Sequence, residues 1–452
     1  MTKTVFIGGA AGFGGDRFDA SGPLITALSQ REGPKYLIFE TLAERTLAIA
    51  QNQMLRGAGQ GYSEFLEEYL SPVLEPCKSA GIKVVTNIGA ANVRGAGERI
   101  QSLANELGVP DLKVAIVEGD DLLTVLAPDE IAAYQTIEGT RIDAAPIGAN
   151  VYLGAEPIAE ALALGADVVV TGRCTDAALV LGPAIFELGI AANDLEFLAA
   201  GTMAGHLLEC GPQVTGAYFA DPARKPVPDL ANVGYPIGEI TSEGLVTISK
   251  PEGTGGLVSE ATVKEQLLYE VHDPGNYLTP DVTLDVTNVK VESPGDNRVT
   301  LRGARGKPPP PTLKATVSMD GGFLGEAEMS YAGPGALARA ELAVDVLRQR
   351  LQRSAVGSSV RFDIIGTCSV FDGDTGNMRA RSSFEDEGEY RIRVSARSMD
   401  RDELERMTLE VYALWVAGPA GGAGFRKSIT PQVKTASILV DRSVPDVRVS
   451  MV

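Results

Sequence analysis

The chain has two histidines, and one sits in a pattern able to move a proton. "GTMAGHLLECGPQ" places His206, Glu209 and Cys210 at i, i+3 and i+4, on one face of a helix that Gly211-Pro212 ends. A carboxylate beside an imidazole fixes its tautomer and makes it a general base. The same spacing also suits a histidine that only satisfies a helix C-terminus. "VVVTGRCTDAAL" supplies the second set. Val168–Thr171 ends a buried strand, Gly172 turns the chain, and Arg173 stands at the strand's carboxyl end. A planar guanidinium there suits a carboxylate or phosphate bidentately. Asp176 is the candidate acid that returns a proton, and Thr175 or Asp176 also reads as the cap of the next helix. Cys174 is a thiol beside an arginine and a helix start, conditions that lower a thiol pKa. The bland alternative makes Asp176 a cap and Arg173 its ion-pair partner.

Two glycine loops offer anion sites. In "IGGAAGFGGDR", Gly8, Gly9, Gly12, Gly14 and Gly15 free the backbone for close approach, Asp16 is placed to cap a following helix and Arg17 to clamp an anion. The register fits neither GxGxxG nor the Walker A loop, so a bare strand-to-helix turn competes with the anion site. In "ISKPEGTGGLVSEATVKEQLLYE", Lys250, Gly253, Thr254, Gly255 and Gly256 would make an anion nest; the alternative is a plain crossover. Asn87 opens a polar turn after another strand. "AGPAGGAGFRKS", ending in Arg426 and Lys427, reads as a loop, and His272 as a turn residue.

The elements that must position these residues alternate. Short β-branched runs (Thr4–Ile7, Tyr36–Phe39, Lys83–Thr86, Lys113–Val117, Asp167–Thr171) are separated by helical stretches, which predicts βαβ units and a parallel sheet. Ligands of such sheets bind beyond the carboxyl ends of the strands. Those ends are Gly8–Arg17, Glu40, Asn87–Arg94, Glu118–Asp121 and Gly172–Asp176, all rich in glycine or polar residues. The fold class is therefore α/β: a mostly parallel three-layer α/β domain over residues 1–235, then an α+β domain over 236–452, ferredoxin-like in its two strand–helix–strand units. The glycine loop at 250–256 is expected to reach the site of the first domain.

A net charge of −19 repels nucleic acid and anionic membranes, so neither is an expected partner. A small anionic substrate would then need local positive groups. Four cysteines without CxxC or metal-ligand spacing suit a reduced, cytoplasmic protein. With two histidines a His-rich metal site is excluded; the sequence shows no metal or cofactor requirement. No signal peptide and no membrane-spanning run is expected.

Taken together, "IGGAAGFGGDR", "GADVVVTGRCTDAAL", "GTMAGHLLECG", "KPEGTGGLVSEATVKEQLLYE", "DPGNYLTPDV" and "GARGKPPPPTLK" resemble the acyclic terpene utilisation family. The resemblance implies a catabolic role with branched acyl-CoA thioesters, coenzyme A entering as part of the substrate. Members of the family often carry Trp at the position of Gly14 and a small apolar residue at that of Cys174. The first departure implies a more open pocket, and the second counts against Cys174 as an obligatory nucleophile. The expected activity is that of a lyase, cleaving C–C or eliminating water, with His206 and Glu209 as base, Asp176 as acid, and Arg173 and the glycine loops holding the charge that develops. An isomerase using the same carbanion chemistry and a non-enzymatic acyl-CoA or anion-binding subunit are the alternatives. A homo-oligomer is expected.

Overall fold

The β-branched runs form the middle of a ten-stranded sheet. The computed structural model describes residues 2–353, 357–372, 376–377, 380, 383–384 and 388–452. Strands β1 (Thr4–Ala11), β2 (Lys35–Phe39), β3 (Ile82–Thr86), β4 (Val114–Glu118), β5 (Pro146–Val151), β6 (Val168–Thr171), β7 (Ile237–Thr241) and β8 (Val246–Ser249) come first in the chain. Five of them, in the order β1-β2-β3-β6-β4, are parallel. Antiparallel strands extend both sides: β7, β8, Arg298–Arg302 and Lys290–Gly295 beyond β1, and Arg448–Met451 beyond β4. β5 pairs instead with the long strand Thr312–Ala332.

Strands buried on both faces explain the continuous apolar runs. Alternation sends Tyr36, Ile38, Val85 and Val169 to one core and Leu37, Phe39, Val84, Val168 and Val170 to the other. Helices Glu156–Ala163, Ala178–Leu188 and Leu195–Leu208 bury residues in the first core. Ser21–Ser29, Leu74–Ala80 and Val93–Glu106 do so in the second. Each fully buried Val, Leu or Ile contributes about 1.5–3 kcal/mol, so the three layers are held from both sides.

The chain divides into Met1–Met319 with Thr435–Val452, and Asp320–Lys434. This is not the expected boundary at 235/236. The physical reason is strand pairing: β7 hydrogen-bonds β1 from Thr4↔Thr241 to Gly8↔Ile237, so the segment after 236 completes the first sheet. The chain leaves the first unit within Thr312–Ala332 and returns within Ala423–Asp441.

The second unit has the expected ferredoxin-like order. Its strands lie as Val360–Ile365, Glu389–Ser398, Thr312–Ala332 and Ala423–Asp441, with helices Ala336–Arg353 and Arg401–Ala417 between the first and second strands and between the third and fourth in chain order. Its core joins Met329, Tyr331, Leu347, Ile392, Val394, Leu404 and Leu414.

Candidate functional site at the carboxyl ends of the parallel strands

His206 is delivered by close helix packing. Asp194 caps helix Leu195–Leu208, its carboxylate accepting from Phe197 N at 3.1 Å. Every residue from Phe197 to Leu208 is buried. A Cβ on Gly205 would lie 2.5 Å from the Cα of Ala177. Only glycine lets the helix approach this near to the residue before Ala178–Leu188. The His206 ring is 2% exposed. Its Nδ1 lies 3.0 Å from Glu209 Oε1, while its Nε2 is buried and has no hydrogen-bond partner among the described residues. Burial works against the imidazolium, but the Glu209 charge and hydrogen bond outweigh it and hold the pKa above its ordinary value.

Arg173, 1% exposed, is the pivot of a buried polar cluster. Its guanidinium donates to the carbonyls of Leu42 and Cys174 and to Asp176, and its Cζ lies 4.6 Å from the centre of the Tyr152 ring. Its amide donates to Asp120 Oδ2 at 2.8 Å, and Asn150 Nδ2 donates to the same oxygen at 2.7 Å. Glu40, at the end of β2, accepts on Oε1 from Asn87 Nδ2 and from the Leu42 amide, each at 2.9 Å. Asn87 in turn accepts from the Thr41 amide at 2.8 Å, so it fixes the strand end that carries Glu40. Burial pushes Glu40 upward, the Asp176 charge adds to this, and Arg173 opposes it. Burial likewise pushes Asp176 up, with Arg173 opposing and Glu209 adding. Asp120 is pushed up to about 6 by burial.

Several expected roles fall differently. Gly8 and Gly9 lie inside β1 rather than in a loop. Asp16 caps no helix, because the next one starts at Ser21. Asp16 turns back on its own loop, accepting from Gly12 N at 2.9 Å, Arg17 N at 2.7 Å and the Tyr235 hydroxyl at 2.5 Å. Gly15 N donates to the Tyr69 hydroxyl at 3.1 Å. Arg17 pairs with Asp19 at 2.8 Å. Lys250 Nζ donates to the Thr254 carbonyl at 2.6 Å, Thr254 Oγ1 to the Pro251 carbonyl at 2.6 Å, and the amides of Gly255 and Gly256 to Asn232 and Pro228. Gly253 takes a left-handed φ of +77° with open space around it. The cations and most of the loop amides are thus already engaged by the chain. Neither Thr175 nor Asp176 caps helix Ala178–Leu188, whose first turn has no side-chain cap; the Thr175 amide donates to the Leu153 carbonyl at 2.9 Å. Cys174 is buried, and burial pushes its thiol up to about 12, the reverse of activation. Among the described residues no group of three His, Cys, Asp or Glu side chains is placed to hold a metal ion.

Several residues join this neighbourhood that the sequence patterns did not single out as site residues, Asp120, Asn150 and Tyr152 beside Arg173 among them. Glu40 had one signal, its place at a strand's carboxyl end in "YLIFE". Tyr277 had its place in "DPGNYLTPDV", and a two-residue strand, Tyr277–Leu278, carries it in from far along the chain. Its ring centre lies 5.5 Å from that of His206. Burial, then the charges of Glu209 and Asp176, push its phenol well above its ordinary range, so it stays protonated.

The class is thus a mixed α/β protein with a buried acid–base cluster where open α/β sheets place ligands. The chain belongs to the acyclic terpene utilisation family: the model of the "Acyclic terpene utilisation family protein AtuA" matches residues 5–451. No curated protein sequence matches it. Among solved structures, the de novo designed protein Ferredog-Diesel is similar at 19% identity and a TM-score of 0.16, over 24% of this chain and 85% of that one. An amidase of the hydantoinase/carbamoylase family from Burkholderia phymatum is similar at 14% identity and a TM-score of 0.16, over 28% of this chain and 30% of its own. Among the described residues no helix is long and apolar enough to cross a membrane.

Proposed function

We propose that the chain is a lyase that breaks a C–C bond or eliminates water in a branched hydroxy-acid or its acyl-CoA thioester. The observation that carries this reading is the His206–Glu209 pair. Glu209 accepts from Nδ1–H and so directs the lone pair to Nε2, which has no partner among the described residues. An unpartnered ring nitrogen is the group of this pair that can accept a proton from a substrate that reaches it.

In the cleavage, Nε2 takes the proton of the substrate hydroxyl. The C–O bond becomes C=O, the adjacent C–C bond breaks, and its electron pair passes to the carbon beside the acid or thioester carbonyl. The enolate that forms is quenched by a proton from Asp176 or Tyr277, both held towards their protonated forms. In the elimination, Nε2 takes the proton from carbon and the same acids give theirs to the departing hydroxyl. Glu40 has a further part. Asn87 and the Leu42 amide occupy its Oε1, and a carboxyl that keeps its proton donates a hydrogen bond to an anion. With Arg173, Arg17 and Lys250 engaged internally, a protonated carboxyl is one means of greeting an anionic substrate. The family supplies the substrate class by analogy.

The test is NMR in deuterated water with branched 3-hydroxy acids and their CoA thioesters. Cleavage or elimination that falls about 10²–10⁴-fold in His206→Ala is expected, with a smaller fall in Tyr277→Phe. Turnover unchanged in His206→Ala sinks the assignment. Deuterium exchange without cleavage would make the protein an isomerase, and binding without either would make it a binding subunit.

A further inference from the structure

A second feature opens at the same strand ends. A cavity of about 150 Å³ lies where β1, β2 and β3 finish, lined among others by Leu42, Ile49, Ala50, Phe65, Ile88 and Ala90. Gly14 and Thr41 also face it. The two threonines of its wall are engaged by the chain, and Gln53, Tyr62, Ser63 and Glu64 also line it. Thr46 Oγ1 donates to the Ala43 carbonyl at 2.9 Å and accepts from the Ala43 amide at 2.8 Å. The Thr41 amide and hydroxyl go to Asn87, at 2.8 and 3.2 Å. Between these polar residues the wall presents the apolar side chains of Leu42, Ile49, Phe65 and Ile88. Small residues keep it open: Ala50 from helix Glu44–Leu55, Ala90 from the turn after β3, and Gly14 from the glycine loop. Ala90 is held at φ +45°, a left-handed conformation uncommon for a residue with a Cβ. Such strain gathers at ligand sites.

We infer that this cavity binds a hydrocarbon group of about six carbons, the size of the benzene that an apolar cavity of about this volume takes. Leu42 belongs to both features. It lines the cavity, its amide donates to Glu40 Oε1, and its carbonyl accepts from Arg173. An alkyl group seated here holds its polar end beside the acid–base cluster. Only the naming of that group as the substrate's alkyl end rests on the function proposed above; the binding itself requires no catalysis.

The experiment uses the full chain labelled at isoleucine methyls and titrated with 3-methylbutan-1-ol, hexan-1-ol and decan-1-ol. Saturable shifts at Ile49 and Ile88 are expected, with affinity rising up to about six carbons and then levelling. Ala50→Leu fills the cavity and should weaken binding at least tenfold while the unfolding temperature holds. Ile49→Trp fills it from the rim and serves if Ala50→Leu does not fold. No saturable shift at Ile49 and Ile88, or unchanged affinity in the filled variants, overturns the inference. His206→Ala should bind the alcohols as the wild type does, so loss of turnover and loss of this binding are read separately.

Discussion

Glu209 Oε1 stands 3.0 Å from Nδ1 of His206, three residues before it, and both side chains are buried. That contact sets the tautomer and charge of the ring together. Because the folded pKa of His206 is raised, its protonated form is favoured below the ordinary value and is lost as pH rises through the raised one. A base must be neutral to work, so the ascending limb of kcat/KM should lie above pH 6.5. Glu209→Gln removes the charge that holds the proton, and the limb should move to lower pH. A limb that stays in place would separate Glu209 from the base.

Arg173 is 1% exposed and pairs with Asp176, whose side chain is 36% exposed, beside the buried carboxyls of Glu40 and Asp120. Removing one partner of a fully buried pair costs about 3–5 kcal/mol, and water at Asp176 screens part of that, which leaves about 2–3 kcal/mol here. Arg173→Ala should lose about that much in urea unfolding, and Arg173→Lys should not restore it, since an ammonium cannot reach three acceptors in one plane. The double variant Arg173→Ala/Asp176→Asn should lose less than the two single losses added together. Simple additivity would mean the two residues act independently.

Asp120 is 4% exposed, and its pKa is pushed up from 3.8 to about 6 by burial. The neutral form is therefore the better one in the folded state. The associated stability is fully present below pH 3.8 and lost as pH rises through about 6, amounting to about 3 kcal/mol. Asp120→Asn keeps an oxygen for Asn150 and the Arg173 amide but cannot ionise. Its unfolding free energy, followed from pH 3.5 to 7.5, should lack this decline. A wild-type curve parallel to that of the variant would refute the account.

A Cβ on Gly12 would lie 2.4 Å from the carbonyl carbon of Cys210. Backbone is on both sides of that contact, so neither partner yields cheaply. Gly12→Ala should cost about 1–3 kcal/mol or more and should disturb turnover through the Glu209–Gly211 corner. Gly295→Ala, where nothing lies within 4 Å, should stay within about 0.5 kcal/mol. Thermal unfolding of the two variants makes the comparison.

What the sequence determined by itself was local. Short continuous β-branched runs between helical stretches specified the parallel strands, and glycine and polar residues at their carboxyl ends marked where a ligand site would lie. The i, i+3 spacing of His206 and Glu209 is a property of one helix, and the 3.0 Å contact follows from it. The strand–helix order also carried the ferredoxin-like arrangement of the second unit. Tertiary structure decided where each side chain spends its hydrogen bonds. Arg173, Lys250 and Arg17 looked like three free cations, yet each meets an acceptor from its own chain, because a cation near backbone carbonyls and carboxylates takes the closest ones. Cys174 looked activated beside Arg173, but desolvation outweighs that charge. The domain boundary moved because β7 pairs with β1 across more than two hundred residues. Tyr277, in the family-like stretch "DPGNYLTPDV", reached His206 only through the fold. Pairing partners and desolvation depend on atoms far apart in the chain, and no local spacing records them.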